Sequence, residues 1–146
     1  MKTRNYIKLE FPAKSCNEAF ARTAVGAFAA QLDPCIDELG DIKTAVSEAV
    51  TNAIVHAYPE NIGTVWIKLR ILDDDTLEIC VKDKGRGIEN VKKAMEPLFT
   101  TGGEERCGMG FTIMDSFMDS VKVISRCGKG TSVIMRRNIR SKYESK

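Results

Sequence analysis

A proline fixes more of this chain's architecture than any other residue. Ile42, Val46, Ala49, Val50 and Ala53 recur at helical spacing, and Pro59 halts the run. Residues 37–58 are therefore expected as one amphipathic helix. Directly after it come two segments rich in β-branched residues, 64–72 and 76–82. They flank Asp73-Asp74-Asp75 and read as a hairpin. The helix has one apolar stripe and the hairpin one apolar face, so each must cover the other.

The rest of the chain extends this pattern. Residues 5–11 alternate and end at Pro12, as an edge strand would. Ser15 and Glu18 have capping-box spacing and open a helix to about residue 31, with Phe20, Ala24, Ala27 and Phe28 as its buried stripe. A short helix is expected over 90–95, a polar glycine-containing loop over 97–107, and a helix over 108–118. Residues 121–125 and 131–137 form a last hairpin around Gly128-Lys129-Gly130. At 146 residues, with no repeat and no linker, the chain suits one domain over 1–146. The expected class is α+β: a two-layer sandwich of a mixed, mainly antiparallel sheet with helices on one face.

Composition narrows the function classes. A net charge of +2, without basic runs interleaved with aromatics, argues against direct nucleic-acid binding. No stretch is apolar enough to span a bilayer, and the N-terminus lacks a signal-peptide apolar run, so a cytoplasmic location is expected. The five cysteines, Cys16, Cys35, Cys80, Cys107 and Cys127, have no metal-type spacing and read as free thiols, most of them packed as small apolar groups.

Three clusters carry chemistry. Glu48 and Asn52 are four residues apart and share a helix face, where an acid and an amide among small apolar neighbours need polar partners such as a hydrated Mg²⁺. Alone, the pair reads more readily as a solvated acid beside a helix-bonded amide. Asp83-Lys84-Gly85-Arg86-Gly87 follows a strand; its acid can accept from an exocyclic amine, and its glycines let a flat ligand approach. The same residues fit a plain turn equally well. Gly102-Gly103 and Gly108-Met109-Gly110 bracket a polar loop that contains Thr100, Thr101 and Arg106. A glycine-rich helix start suits phosphates, and such a loop can close as a lid; it also fits a surface loop ended by a helix cap.

In this order the clusters resemble the GHKL family of ATPases and kinases, with its Bergerat nucleotide fold, over nearly the whole chain. Ser47-Glu48-Ala49-Val50-Thr51-Asn52-Ala53-Ile54-Val55-His56, Pro97-Leu98-Phe99-Thr100-Thr101 and Gly108-Met109-Gly110-Phe111-Thr112-Ile113-Met114 look closely like its sporulation anti-sigma branch of serine protein kinases. The resemblance implies ATP and Mg²⁺ as cofactors. It makes Glu48 the general base and Asn52 the Mg²⁺-holding residue. Asp83 and Thr131 would hold adenine, with Gly85 and Gly87 giving clearance. Thr100, Thr101, Arg106, Gly108, Met109 and Gly110 would lie at the phosphates.

It also implies two protein partners, a sporulation sigma factor and an anti-anti-sigma protein phosphorylated on serine, together with a homodimer and a partner contact at Arg22. Two departures stand out. The lid reads Thr101-Gly102-Gly103-Glu104 where the family suggests Lys and Pro, and Ala57 replaces a usual Gly. His56 is read as structural. The alternatives are a general-stress anti-sigma kinase of the same family, or an ATP-gated sigma-binding module without significant phosphotransfer.

Overall fold

The computed structural model describes residues 2–95 and 104–139. Strand β1 (Thr3–Pro12) leads into helix α1 (Cys16–Ala29), which tightens into a 3₁₀ turn at Ala30–Leu32. Helix α2 (Ile36–Thr51) widens into a π-turn at Asn52–His56. Strands β2 (Thr64–Leu72) and β3 (Thr76–Asp83), short helix α3 (Val91–Ala94), helix α4 (Glu104–Phe117) and strands β4 (Ser120–Arg126) and β5 (Gly130–Asn138) complete the order.

The five described strands form one sheet in the order β1-β2-β3-β5-β4. The sheet was expected to be mixed and mainly antiparallel; all four of these pairings are antiparallel. The period-2 pattern sets which face is covered. Val65, Ile67, Leu69, Leu77, Ile79, Val81, Val133 and Met135 point inward and are buried with Ile42, Val46, Ala49, Val50, Phe111 and Met114 of α2 and α4. The opposite face carries Lys68, Lys82, Lys122 and Arg136, all exposed. At its centre Glu78 bonds both Arg70 (2.7 Å) and Arg136 (2.8 Å). Burial alone would raise the Glu78 pKa, but the two guanidiniums outweigh it and hold the carboxyl below its ordinary range.

Two sequence expectations about α1 fail. Ser15 makes no side-chain cap, and a capping box forms instead at α2, where Glu38 Oε1 accepts from the Cys35 N–H at 3.1 Å. The buried stripe is Ala21, Val25, Phe28 and Ala29, while Phe20 and Ala27 face outward. Apolar residues lie all round this helix, so their period does not fix its phase. Of the described cysteines, Cys16 and Cys127 are exposed rather than packed.

The turn after β3 is fixed by backbone packing. The Arg86 N–H donates to the Ala57 carbonyl (2.9 Å), and the Gly128 N–H donates to the Arg86 carbonyl (2.7 Å). A Cβ at Gly85 would fall 2.2 Å from the Ala57 carbonyl oxygen, and Gly87 has φ +76. These glycines therefore serve contact between loops, a role the sequence did not suggest. The Tyr58 hydroxyl secures the same corner, accepting from the Lys84 N–H and donating to the Thr64 carbonyl, each at 2.7 Å.

Gly85→Ala is expected to destabilise the fold by about 1–3 kcal/mol, because the overlap is with backbone and cannot relax by a rotamer change. Gly40→Ala should stabilise it by about 0.5–1 kcal/mol, since Gly40 lies inside α2 with open space around it. Thermal unfolding of the two variants checks both signs.

Candidate functional site

Between the C-terminal half of α2, the inner ends of β3 and β5, and α4 lies a cavity of about 230 Å³. Asn52, Asp83, Gly87 and Thr131 line it, together with Ala49, Ala53, Val81, Phe111 and Val133. An apolar wall with a few convergent polar groups is what a small-molecule site needs.

Asp83 is the fixed point. It ends β3, is only 6% exposed, and spends Oδ1 on two backbone donors, Gly85 N–H (2.9 Å) and Thr131 N–H (3.2 Å). Among the described residues Oδ2 has no hydrogen bond, and it is the oxygen left for a ligand donor. Burial pushes the Asp83 pKa up, against the pull of the two N–H groups.

Glu48 near the end of α2 and Asn52 at the start of its π-turn lie one turn apart, and α4 crosses them at Gly110. A Cβ there would sit 3.1 Å from Glu48 Oε2 and 3.4 Å from Asn52 Nδ2. The absence of a side chain at Gly110 is thus what lets α4 approach the pair. Asn52 Nδ2 is buried and has no hydrogen-bond partner among the described residues. The Asn52 carbonyl accepts from the Ala57 N–H (3.2 Å), the i+5 bond of the π-turn, and π-turns of this kind are frequent at functional sites. Nothing in the sequence signalled it.

The structure thus gathers Asn52, Asp83, Gly87 and Thr131 on one cavity, with Glu48 and Gly110 at the Asn52 end. Helix α4 differs from expectation: it starts at Glu104, so Gly108, Met109 and Gly110 lie within it rather than at its open end. Acidic Glu104 and Glu105 favour a helix N-terminus at that point. Met109 is 58% exposed. Thr100 and Thr101 lie outside the described residues, as does the Arg106 side chain. Arg22 is exposed on α1, away from this cavity's lining, and pairs with Glu18 at 3.7 Å. His56, Arg86 and Cys127 also line the cavity, and none of them was expected there. Ser125 was missed altogether: its hydroxyl contacts Thr131 Oγ1 at 2.7 Å. A lone serine at a strand end carries no motif. Among the described residues no group of three or more acidic, His or Cys side chains forms a metal cluster, and no helix is long and apolar enough to cross a membrane.

Comparison with known proteins agrees with this geometry. The family model of the histidine kinase-like ATPase domain matches residues 11–137. Solved structures share the fold: the histidine kinase domain of the Erythrobacter litoralis blue-light activated kinase aligns at TM-score 0.62 and 20% identity over 87% of this chain and 63% of that one. The RsbU and RsbW domains of a Mycobacterium tuberculosis protein align at TM-score 0.68 and 16% identity, over 92% of this chain and 32% of that one. The anti-sigma F factor of Caldanaerobacter subterraneus subsp. tengcongensis is 59% identical over 95% of this chain and 97% of its own length. That of Clostridium acetobutylicum is 55% identical over 91% and 93%. The chain belongs to the histidine kinase-like ATPase family and, within it, to the anti-sigma F factors.

The raised Asp83 pKa has a definite sign for stability. The folded state holds this proton more tightly than the unfolded chain does. The group's contribution is therefore most favourable at acid pH and is lost as pH rises from the ordinary carboxyl range through the raised value. Asp83→Asn should remove that component, seen as a flatter dependence of unfolding free energy on pH over this window.

Proposed function

We propose that this chain is an anti-sigma factor and an ATP-dependent serine protein kinase, acting as one domain. In this reading it holds a sporulation sigma factor and phosphorylates the anti-anti-sigma protein that opposes it. The observation that carries the reading is the cavity's two ends: a strand-end carboxylate with a free oxygen at Asp83, and an acid and an orphaned amide at Glu48 and Asn52 under α4. Membership in an ATPase family supports ATP as the ligand. The relatives' shared name supports a sigma factor as partner.

Each end suits one part of the nucleotide. Asp83 Oδ2 accepts from the adenine amine, and Thr131 supports it from β5. Asn52 fits a magnesium–phosphate group, because its buried amide lacks a partner and a side-chain amide can present either an oxygen or an N–H. Mg²⁺, when bound, neutralises phosphate charge and aligns the transferring group. Glu48 is half-buried and takes the proton of the attacking serine. As the serine oxygen bonds to the γ-phosphorus, the bond to the β–γ bridging oxygen breaks and ADP leaves. Gly108, Met109 and Gly110 can offer N–H groups to phosphates only if the start of α4 unwinds, since inside a helix those groups are already used. Thr100, Thr101 and Arg106, just before or within that segment, would contact the phosphates as it rearranges. Arg22 lies exposed on α1, and its ion pair with Glu18 is of the weak, solvated kind, which leaves it available to a partner. The active species is proposed to be a cytoplasmic homodimer.

Transfer of radiolabel from the γ-phosphate of ATP to a cognate anti-anti-sigma protein tests the chemistry. Glu48→Gln should slow transfer by about 10²–10⁴-fold, the usual range for a general base, with ATP affinity changed only a few-fold. Transfer at full rate in that variant would remove Glu48 from the mechanism. Capture of the sigma factor with ATP but no transfer would favour the binding-module reading.

A further inference from the structure

Ser125 lies behind Thr131, a residue of the cavity's lining, where three elements meet. Its Oγ accepts from the Ile88 N–H at 2.7 Å, lies 3.1 Å from the Gly130 carbonyl oxygen, and lies 2.7 Å from Thr131 Oγ1. The serine has one proton to give. The Gly130 carbonyl can only accept, so a proton given to it forces the Thr131 hydroxyl to donate back to Ser125. Thr131 then presents only lone pairs to the cavity. A proton given to Thr131 instead leaves the threonine hydroxyl free to donate outward. The contact with Thr131 is the shorter of the two.

The purine edge distinguishes these arrangements. Adenine offers an amine donor next to N1, an acceptor. A hypoxanthine or guanine edge reverses both, with a carbonyl acceptor beside an N1–H donor. Asp83, whose Oδ1 already takes the Thr131 N–H, has Oδ2 left for the amine, and the Thr131 hydroxyl then matches adenine N1 only when it donates.

We propose that Ser125 is a positioning residue for base recognition. It passes a hydrogen-bond chain from the Ile88 N–H through its own hydroxyl to Thr131, so that Thr131 donates to adenine N1, directly or across one water. The chain polarises in one direction, because each hydroxyl accepts on one side and donates on the other. Its anchor is the loop that also carries Gly87, and this couples the geometry of that turn to the choice of base. The proposal rests on the reading of this cavity as an adenine site.

Calorimetry with Mg²⁺ and two nucleotides, ATP and its 1-deaza analogue with C–H in place of N1, tests it. Ser125→Ala should weaken ATP by about 10-fold, the scale of one hydrogen bond, and the 1-deaza analogue by less than about 2-fold. Ser125→Thr keeps the hydroxyl and should hold ATP within about 2-fold. Ser125→Cys, with a similar size and a weaker donor, should repeat the selective loss and serves if the alanine variant does not fold. Equal weakening of both nucleotides would show a merely structural role and overturn the proposal, as would unchanged ATP affinity. Failure of the unmodified chain to bind either nucleotide would instead overturn the adenine reading itself.

Discussion

The carboxylate of Asp83 is the interaction on which the rest of the site depends. Two backbone N–H groups, from Gly85 and Thr131, converge on one of its oxygens. That convergence ties the end of β3 to the turn that follows it and to the start of β5. Both donors are part of the backbone, so the carboxylate's direction is set by the fold rather than by a mobile side chain. The free oxygen is held in place before any ligand arrives, and the cost appears as an acid whose pKa burial has raised. A group held this way can discriminate a donor from an acceptor, because an unmatched partner would leave a buried charge unanswered.

The other end of the cavity is built from helices. α2 and its π-turn supply Glu48 and Asn52 from one face, and Ala57, the residue just after the π-turn, gives the carbonyl that receives Arg86. The helix that carries the acid–amide pair is thereby bonded to the loop that follows Asp83. α4 passes close to the pair at Gly110, which has no side chain. The two ends are therefore linked through backbone contacts, and a change at the turn after β3 can be felt at Asn52. The start of α4 is helical here through Gly108 and Gly110. Contact between these residues and phosphates requires a second arrangement of that segment.

Much of this was legible in the sequence, for physical reasons. The α2 stripe and the two hairpins follow from period and from Pro59 and the Asp73-Asp74-Asp75 turn, all of which are local signals. The Glu48–Asn52 spacing and the strand-end Asp83 are local too. The packing role of the glycines was not legible: besides any room they leave for a ligand, Gly85 and Gly87 make close contacts with Ala57 and Arg126 between loops, which only the tertiary structure reveals. The phase of α1 is not legible in the sequence, since Phe20 and Phe28 sit on a helix with apolar residues around most of its girth and the position of α2 decides which is buried. The glycines at 108 and 110 suggest a helix start there, whereas the acidic pair before them extends α4 back to Glu104. Ser125 and the π-turn depend on contacts distant in sequence and left no local trace.

Calorimetric titration of ATP into the folded chain with Mg²⁺ across a pH series tests the claim that an ionised, pre-oriented Asp83 grips the purine. The expected result is affinity that is constant near neutrality and declines on acidification, beginning above the usual aspartate range, with Asp83→Asn weak at every pH and nearly flat. Undiminished affinity in that variant, or no association with the unmodified chain even at millimolar nucleotide, would contradict the account.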